Sequence, residues 1–238
     1  MSAISRAPLP NRGLARLGLL VAGLSVFGLA LTWVLAELVP ITHVKDAVAL
    51  YDFTRLNRPL VEVPANALLD LLYPPFYAAW GIVLVVFALR RRLPWVALAV
   101  AILLPLAPLS AELLKPLLAH SHDQLGPRHI TSASWPSGHA TAALALAWCA
   151  LLVAAPAHRR LVAIVGGAFA LAVGAALLLL AWHMPSDVVG GYLLATFWAA
   201  LAFAALRALG RDGDALDPAR ACLGSASGGP GAVRAWSP

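Results

Sequence analysis

The sequence predicts an all-α protein, a polytopic membrane bundle of about six transmembrane helices. Three observations carry that prediction. Apolar residues make up 61% of the 238 residues and charged residues only 12%, whereas a soluble domain carries roughly 25% charged residues. Six apolar runs reach or approach the ~20 residues that a helix needs to cross ~30 Å of hydrocarbon. The basic residues stand in short clusters between those runs. That pattern orients membrane helices and does not suit a nucleic-acid groove, so the net charge of +6 predicts no nucleic-acid partner.

The runs are residues 14–38, 67–89, 94–114, 140–155, 161–182 and 188–206. The first exceeds the 7–15-residue apolar core of a cleavable signal, and no small-residue cleavage site follows it, so it is expected to remain as a span. The second carries Asp70 near its start and Pro74-Pro75 within it, which predicts a later start or a kink. The fourth is the shortest and is expected to extend back through Ser137 and Gly138. Residues 39–66 link the first two runs. Val44, Ala47, Val48 and Tyr51 follow helical spacing there, which predicts a short helix lying on the membrane surface, with an irregular loop as the alternative. Cys149 in an apolar run and Cys222 in a polar tail are not expected to meet.

Charge sets the orientation. With a cytoplasmic N-terminus, twelve of the 17 basic residues fall inside: Arg6, Arg12, Arg16, Arg90, Arg91, Arg92, Arg159, Arg160, Arg207, Arg211, Arg220 and Arg234. Five fall outside: Lys45, Arg55, Arg58, Lys115 and Arg128. The positive-inside rule favours this orientation, with both termini cytoplasmic. The expected organisation is a cytoplasmic tail over 1–13, a six-helix membrane domain over 14–210, and a disordered cytoplasmic tail rich in Gly, Ser, Ala and Asp over 211–238.

The segments predicted to lie outside collect the groups that carry chemistry. Lys115, His120, His122, Asp123, Arg128 and His129 stand between the third and fourth runs, followed by Trp135-Pro136-Ser137-Gly138-His139. Trp182-His183-Met184-Pro185-Ser186-Asp187 joins the fifth and sixth. Polar and ionisable groups are costly near a bilayer, so their collection at one face points to a functional site. In Pro136-Ser137-Gly138-His139, proline suits the first turn of a helix. Ser137 brings a hydroxyl, Gly138 permits close backbone approach, and the free N–H groups of a helix start attract an anion. His139 adds a proton donor. Taken alone, the tetrapeptide reads better as a plain helix cap with an incidental histidine. The four-residue spacing of His183 and Asp187 brings a carboxylate towards one imidazole nitrogen. That fixes the tautomer and leaves the other nitrogen nucleophilic. A loop histidine beside a helix-capping acid is the alternative. Glu112, one turn before Lys115, is expected to pair with it structurally. Trp135 and Trp182 are expected to anchor at the membrane interface.

Taken together, the motifs resemble the type 2 phosphatidic acid phosphatase (PAP2) superfamily, which includes the vanadium haloperoxidases. That family carries Lys, six residues, Arg-Pro; then Pro-Ser-Gly-His; then Ser-Arg, five residues, His, three residues, Asp. Lys115 opens the first motif here, Pro136 to His139 complete the second, and His183 and Asp187 match the third. The resemblance covers about 73–205, with the six-helix plan of bacterial membrane members. His122-Asp123 and Ala176-Leu177 stand where the family has its arginines.

The resemblance implies hydrolysis of a lipid phosphate or diphosphate through a phosphohistidine. His183 is the implied nucleophile, Asp187 its orienting acid and His139 the proton donor. Lys115, Ser137 and the Gly138 amide are the implied phosphate ligands, and no cofactor is implied. Arg128 is the candidate replacement for a lost arginine. A protonated His122 is a second one, effective only below roughly pH 6–7. Zinc ligation by the histidine set is the alternative chemistry, and a headgroup-binding relative without turnover is the alternative function.

Overall fold

The computed structural model describes residues 12–119 and 133–210. Eight α-helices follow in order: α1 Arg12–Trp33, α2 Pro40–Thr54, α3 Pro59–Asp70, α4 Pro74–Arg90, α5 Pro94–Leu118, α6 Gly138–Val153, α7 Arg159–Leu179 and α8 Pro185–Ala208. A π-helical turn, Val34–Leu38, ends α1, and a 3-10 turn, Pro156–His158, precedes α7. Five of these helices begin on proline. Its fixed φ suits the first helical position, and its missing N–H would have no partner there anyway.

The expected runs correspond to α1, α4, α5, α6, α7 and α8. Four of these, α1 with its π-helical turn, α5, α7 with its preceding 3-10 turn, and α8, are long and apolar enough to cross a membrane. The second run is not one straight span. It is split between α3 and α4, which meet at a bend of 56°. Pro74 and Pro75 supply no backbone N–H and disfavour helix in the residue before them, so α3 stops at a turn in which Tyr73 N donates to Asp70 O. The linking segment therefore holds two helices, α2 and α3, where one was expected. In α2, Val44, Val48 and Tyr51 face outward while Leu50 is buried. The sixteen residues of α6 make the shortest of the six, about 24 Å long at 1.5 Å per residue.

Helices α6 and α8 form the centre. α8 packs along α1 and α6, and α6 also packs on α5 and α7. Their contact faces are built from small residues, among them Ala140, Ala143 and Ala145 on α6 and Ala195, Ala199 and Ala204 on α8, all buried. In hydrocarbon there is no hydrophobic drive between helices, so close backbone approach and dispersion hold them. The outward faces carry exposed Leu20, Phe27, Ile82, Phe87, Ile164 and Leu171, a surface suited to lipid as solvent.

Gly191 shows how tight the central contact is. A Cβ there would stand 2.6 Å from Ser137 O and 3.0 Å from both Ala140 Cβ and Thr141 N. Two of those atoms are backbone and cannot swing aside. Gly191→Ala is therefore expected to push α8 off the start of α6, destabilising the protein by about 1–3 kcal/mol. Thermal unfolding in detergent reads this, with Gly23→Ala as the control, since a Cβ at Gly23 meets nothing within 4 Å.

Candidate active site

The starts of α6 and α8 meet at one end of the bundle, and a single backbone bond joins them. Ser137 N donates to Asp187 O at 2.9 Å. Ser137 is fully buried and caps α6, its Oγ accepting from Ala140 N at 3.3 Å. Thr141 Oγ1 donates back to Ser137 O at 2.7 Å. Pro136-Ser137-Gly138-His139 is thus a helix cap, and it is also locked to the His183–Asp187 segment.

The loop before α8 is aimed by a left-handed residue. Ala181 adopts φ 54°, and Trp182 N donates to Leu177 O at 2.9 Å, closing α7 with the bond pattern usual at such a terminus. The chain reverses there and delivers Trp182 and His183 to the start of α6. His183 Nδ1 lies 3.0 Å from Asp187 Oδ2, and Met184 N donates to the same oxygen at 3.0 Å. Asp187 therefore both caps α8 and holds the imidazole. A carboxylate on Nδ1 favours the tautomer in which Nε2 carries the lone pair. His183 is 9% and Asp187 1% exposed, so their contact is largely shielded from water.

His139 lies within the fields of His183, Lys115 and Glu112, and its ring meets Trp182 edge to face at 5.8 Å. Lys115 Nζ donates to Glu112 Oε1 at 2.7 Å. This is the expected pair, one turn apart on α5, but its place makes it more than a helix-surface pair. A Cβ on Gly138 would stand 2.5 Å from Glu112 Oε1 and 3.9 Å from Lys115 Nζ. The missing side chain at Gly138 is what lets the two charges approach the start of α6. The structure therefore brings together Lys115, Ser137, Gly138, His139, His183 and Asp187. Among the described residues, no three metal-ligating side chains form a cluster. His122 and Arg128, with His120 and His129, lie outside the described residues.

Other features correct or extend the expectations. Trp135 is 3% exposed and packs against α8 at Gly190, so it is a packing residue and not an interface anchor. Ala176 and Leu177, at the positions of a family Ser-Arg, are buried in the core. Asp46 on α2 is an addition. Its carboxylate accepts from Ser186 N at 3.1 Å and from Ser186 Oγ at 2.5 Å, tying the surface helix to the segment between His183 and Asp187. Nothing in the sequence pairs residues 140 positions apart, and an acid on a surface helix is ordinarily a solvated one.

Burial pushes the Asp46 carboxyl above the usual carboxylate range. The bonds from Ser186 oppose the shift and the Asp187 charge adds to it. The folded protein thus holds this proton more tightly than the unfolded chain does. Ionised Asp46 costs stability above its raised pKa, and that cost disappears as pH falls towards the ordinary carboxylate value. Asp46→Asn is expected to flatten this part of the stability profile, read as unfolding midpoints measured from neutral pH downward.

A cleft of about 770 Å³ opens beside this cluster. Glu112, Gly138 and His139 stand at one end, and Tyr77, Ile82 and Leu104 line its walls between α4, α5 and α6.

Comparison with known proteins places this architecture. No curated protein sequence matches the chain significantly. Among solved structures, the chain is similar to a crystal structure described as the first transmembrane PAP2 type phosphatidylglycerolphosphate phosphatase from Bacillus subtilis. The TM-score is 0.66 at 19% identity, covering 76% of this chain and 93% of that one. At that identity the likeness concerns the fold. The family model described as PAP2 superfamily matches residues 93–211, half of the chain and the stretch that supplies Lys115, Ser137, Gly138, His139, His183 and Asp187. The chain belongs to the PAP2 superfamily.

Proposed function

We propose that this protein is a membrane phosphatase that hydrolyses a lipid phosphate monoester or diphosphate at the extracytoplasmic face, through a phosphohistidine. The observation that carries the reading is the polar cluster at the mouth of an apolar cleft. His183 and Asp187 make a nucleophile and its orienting acid, His139 and Lys115 stand beside them, and the cleft between α4, α5 and α6 suits an acyl or prenyl chain. The split of basic residues between the two ends supports an extracytoplasmic site.

The chemistry runs in two steps. The Nε2 lone pair of His183 attacks phosphorus, the bond from phosphorus to the ester oxygen breaks, and His139 gives that oxygen a proton. Asp187 stabilises the positive charge that develops on the imidazole. His139 then takes a proton from water, the oxygen attacks phosphorus, and the phosphorus–nitrogen bond breaks to restore His183. Lys115, the Ser137 hydroxyl and the Gly138 amide hold the phosphoryl oxygens, with Arg128 or protonated His122 completing the set. Preorganised donors of this kind are usually the main catalytic contribution in phosphoryl transfer. Glu112 already occupies Lys115, so an incoming phosphoryl group competes with a carboxylate for the ammonium.

The test is phosphate release by purified protein from phosphatidic acid, phosphatidylglycerol phosphate and a polyprenyl diphosphate, with and without chelator. The proposal expects turnover of at least one lipid, unaffected by chelator, and poor turnover of glycerol phosphate, which has no chain for the cleft. One observation favours a second reading. With buried Leu177 at a family arginine position, a headgroup-binding relative without turnover is the rival. Lipid-phosphate binding with no phosphate released between pH 5 and 8 would decide for it.

A further inference from the structure

Asp187 holds His183 from within α8, but a second acid grips the same segment from outside. Asp46 comes from α2, 140 positions away in sequence. Its carboxylate accepts from Ser186 N at 3.1 Å and from Ser186 Oγ at 2.5 Å. Ser186 is the second residue of α8, so its N–H is one of the donors that a helix start leaves without a partner in its own helix. Asp187 takes Met184 N from within the same turn. The start of α8 is thus held by two acids, one of its own and one brought by another helix.

Asp46 is itself firmly seated. One turn earlier on α2, Thr42 Oγ1 donates to Val39 O at 2.9 Å, and His43 Nδ1 lies 3.1 Å from Ala36 O. These bonds fasten α2 to the turn that ends α1. Trp33, the last residue of α1, donates from Nε1 to Leu118 O at 3.0 Å, at the end of α5, the helix that carries Lys115. A run of hydrogen bonds therefore leads from the end of α5 through α1 and α2 to Ser186. Behind Ser186 there is space. A cavity of about 330 Å³ lies between the end of α1, α2 and Ser186, with Thr32, Leu35, Lys45 and Asp46 on its walls. A segment released by Asp46 has room to move away from His139 and Lys115. Charge acts with the geometry. Asp46 lies within the fields of Asp187 and His43, and Glu37 within those of Asp46 and Asp187. The Asp46 carboxylate adds negative potential behind the His183–Asp187 pair, which favours a positively charged imidazole.

We propose that Asp46 is a positioning residue for the phosphoryl transfer: through Ser186 it fixes the segment that carries His183 at the distance and angle that attack on phosphorus needs, and its charge favours the imidazolium formed in that step. The proposal rests on the reading of His183 as the nucleophile. Placement of the reacting atom matters at this scale, since a displacement of about 1 Å costs roughly 10²-fold in rate.

The test is single-turnover phosphate release by the full-length protein in detergent. Protein is in saturating excess over whichever of phosphatidic acid, phosphatidylglycerol phosphate and polyprenyl diphosphate the wild type turns over fastest. Under those conditions the fraction of molecules that are folded sets the amplitude and not the rate constant. Asp46→Ala is expected to lower the rate constant about 10- to 100-fold. Asp46→Asn keeps an acceptor for Ser186 N but not the charge, and should fall between Asp46→Ala and wild type. Ser186→Ala keeps the N–H and should lose less than Asp46→Ala. The double variant should lose less than the product of the two single losses, because both break one contact. Asp52→Asn, exposed on the same helix, should match wild type. A reduced amplitude at the wild-type rate constant in Asp46→Ala overturns the proposal and leaves Asp46 a strut. So do single losses that multiply in full. If Asp46→Ala does not fold, wild-type rate constants in Asp46→Asn and Ser186→Ala overturn it in the same way. A wild-type rate constant in Asp46→Ala beside an inactive His183→Gln overturns this proposal alone. Turnover by His183→Gln, or none by wild type, removes the nucleophile reading and this proposal with it.

Discussion

A His183→Gln protein is expected to fold like the wild type and to release phosphate at least about 10⁴-fold more slowly, the scale of loss when a covalent nucleophile is removed. Glutamine approximates the volume of the imidazole and can still donate to Asp187, so the buried pair with its carboxylate survives in outline. What disappears is the lone pair that attacks phosphorus in the proposed mechanism. The same variant should abolish the intermediate. Wild type mixed with lipid phosphate and quenched in base should carry a protein-bound phosphoryl group that acid removes, and His183→Gln should carry none. Turnover close to wild type in the folded variant would remove His183 from the chemistry and leave the motif a structural one.

Asp187→Asn is the second large effect, with an expected loss of roughly 10³–10⁴-fold in turnover at an almost unchanged unfolding midpoint. The two readouts separate the two jobs of this side chain. Asp187 Oδ2 accepts from Met184 N and lies against His183 Nδ1, both at 3.0 Å. An asparagine oxygen caps a helix about as well as a carboxylate, so the start of α8 should hold. The negative charge proposed to stabilise the imidazolium during attack is gone, and loss of that charge in other acid–histidine pairs is costly on this scale. Asp187→Ala loses the cap as well and should lower stability by about 1 kcal/mol. Wild-type turnover in Asp187→Asn would mean that the acid is only a cap.

Much of the bundle was legible because the bilayer makes strong demands on sequence. A span must be long, apolar and helical, and α1, α5, α7 and α8 satisfy that test from composition alone. The second span was legible only in part. Pro74-Pro75 announced a break, but whether α3 continued the span or bent away from it depended on packing against α7. The surface segment was harder still, because amphipathic spacing marks a helix without counting how many there are. In the site, His183 and Asp187 were legible because their spacing is local and both ends lie within one turn. Asp46 was not, since its bond to Ser186 crosses most of the chain. The place of Glu112 against Gly138 was hidden for a related reason: helix spacing predicts the pair with Lys115 but not what that pair faces.

By itself the sequence determined that this is an all-α membrane protein, which residue types its candidate site carries and how they are ordered, because hydropathy and short motifs are properties of neighbours. Only the tertiary structure decided that the starts of α6 and α8 are stitched by Ser137 N and Asp187 O, that an apolar cleft opens beside the cluster, and that Asp46 of α2 reaches Ser186. Each of those depends on which helix faces meet. Small residues such as Gly138 and Gly191 permit that meeting without naming the partner, so it is settled only when the whole bundle packs.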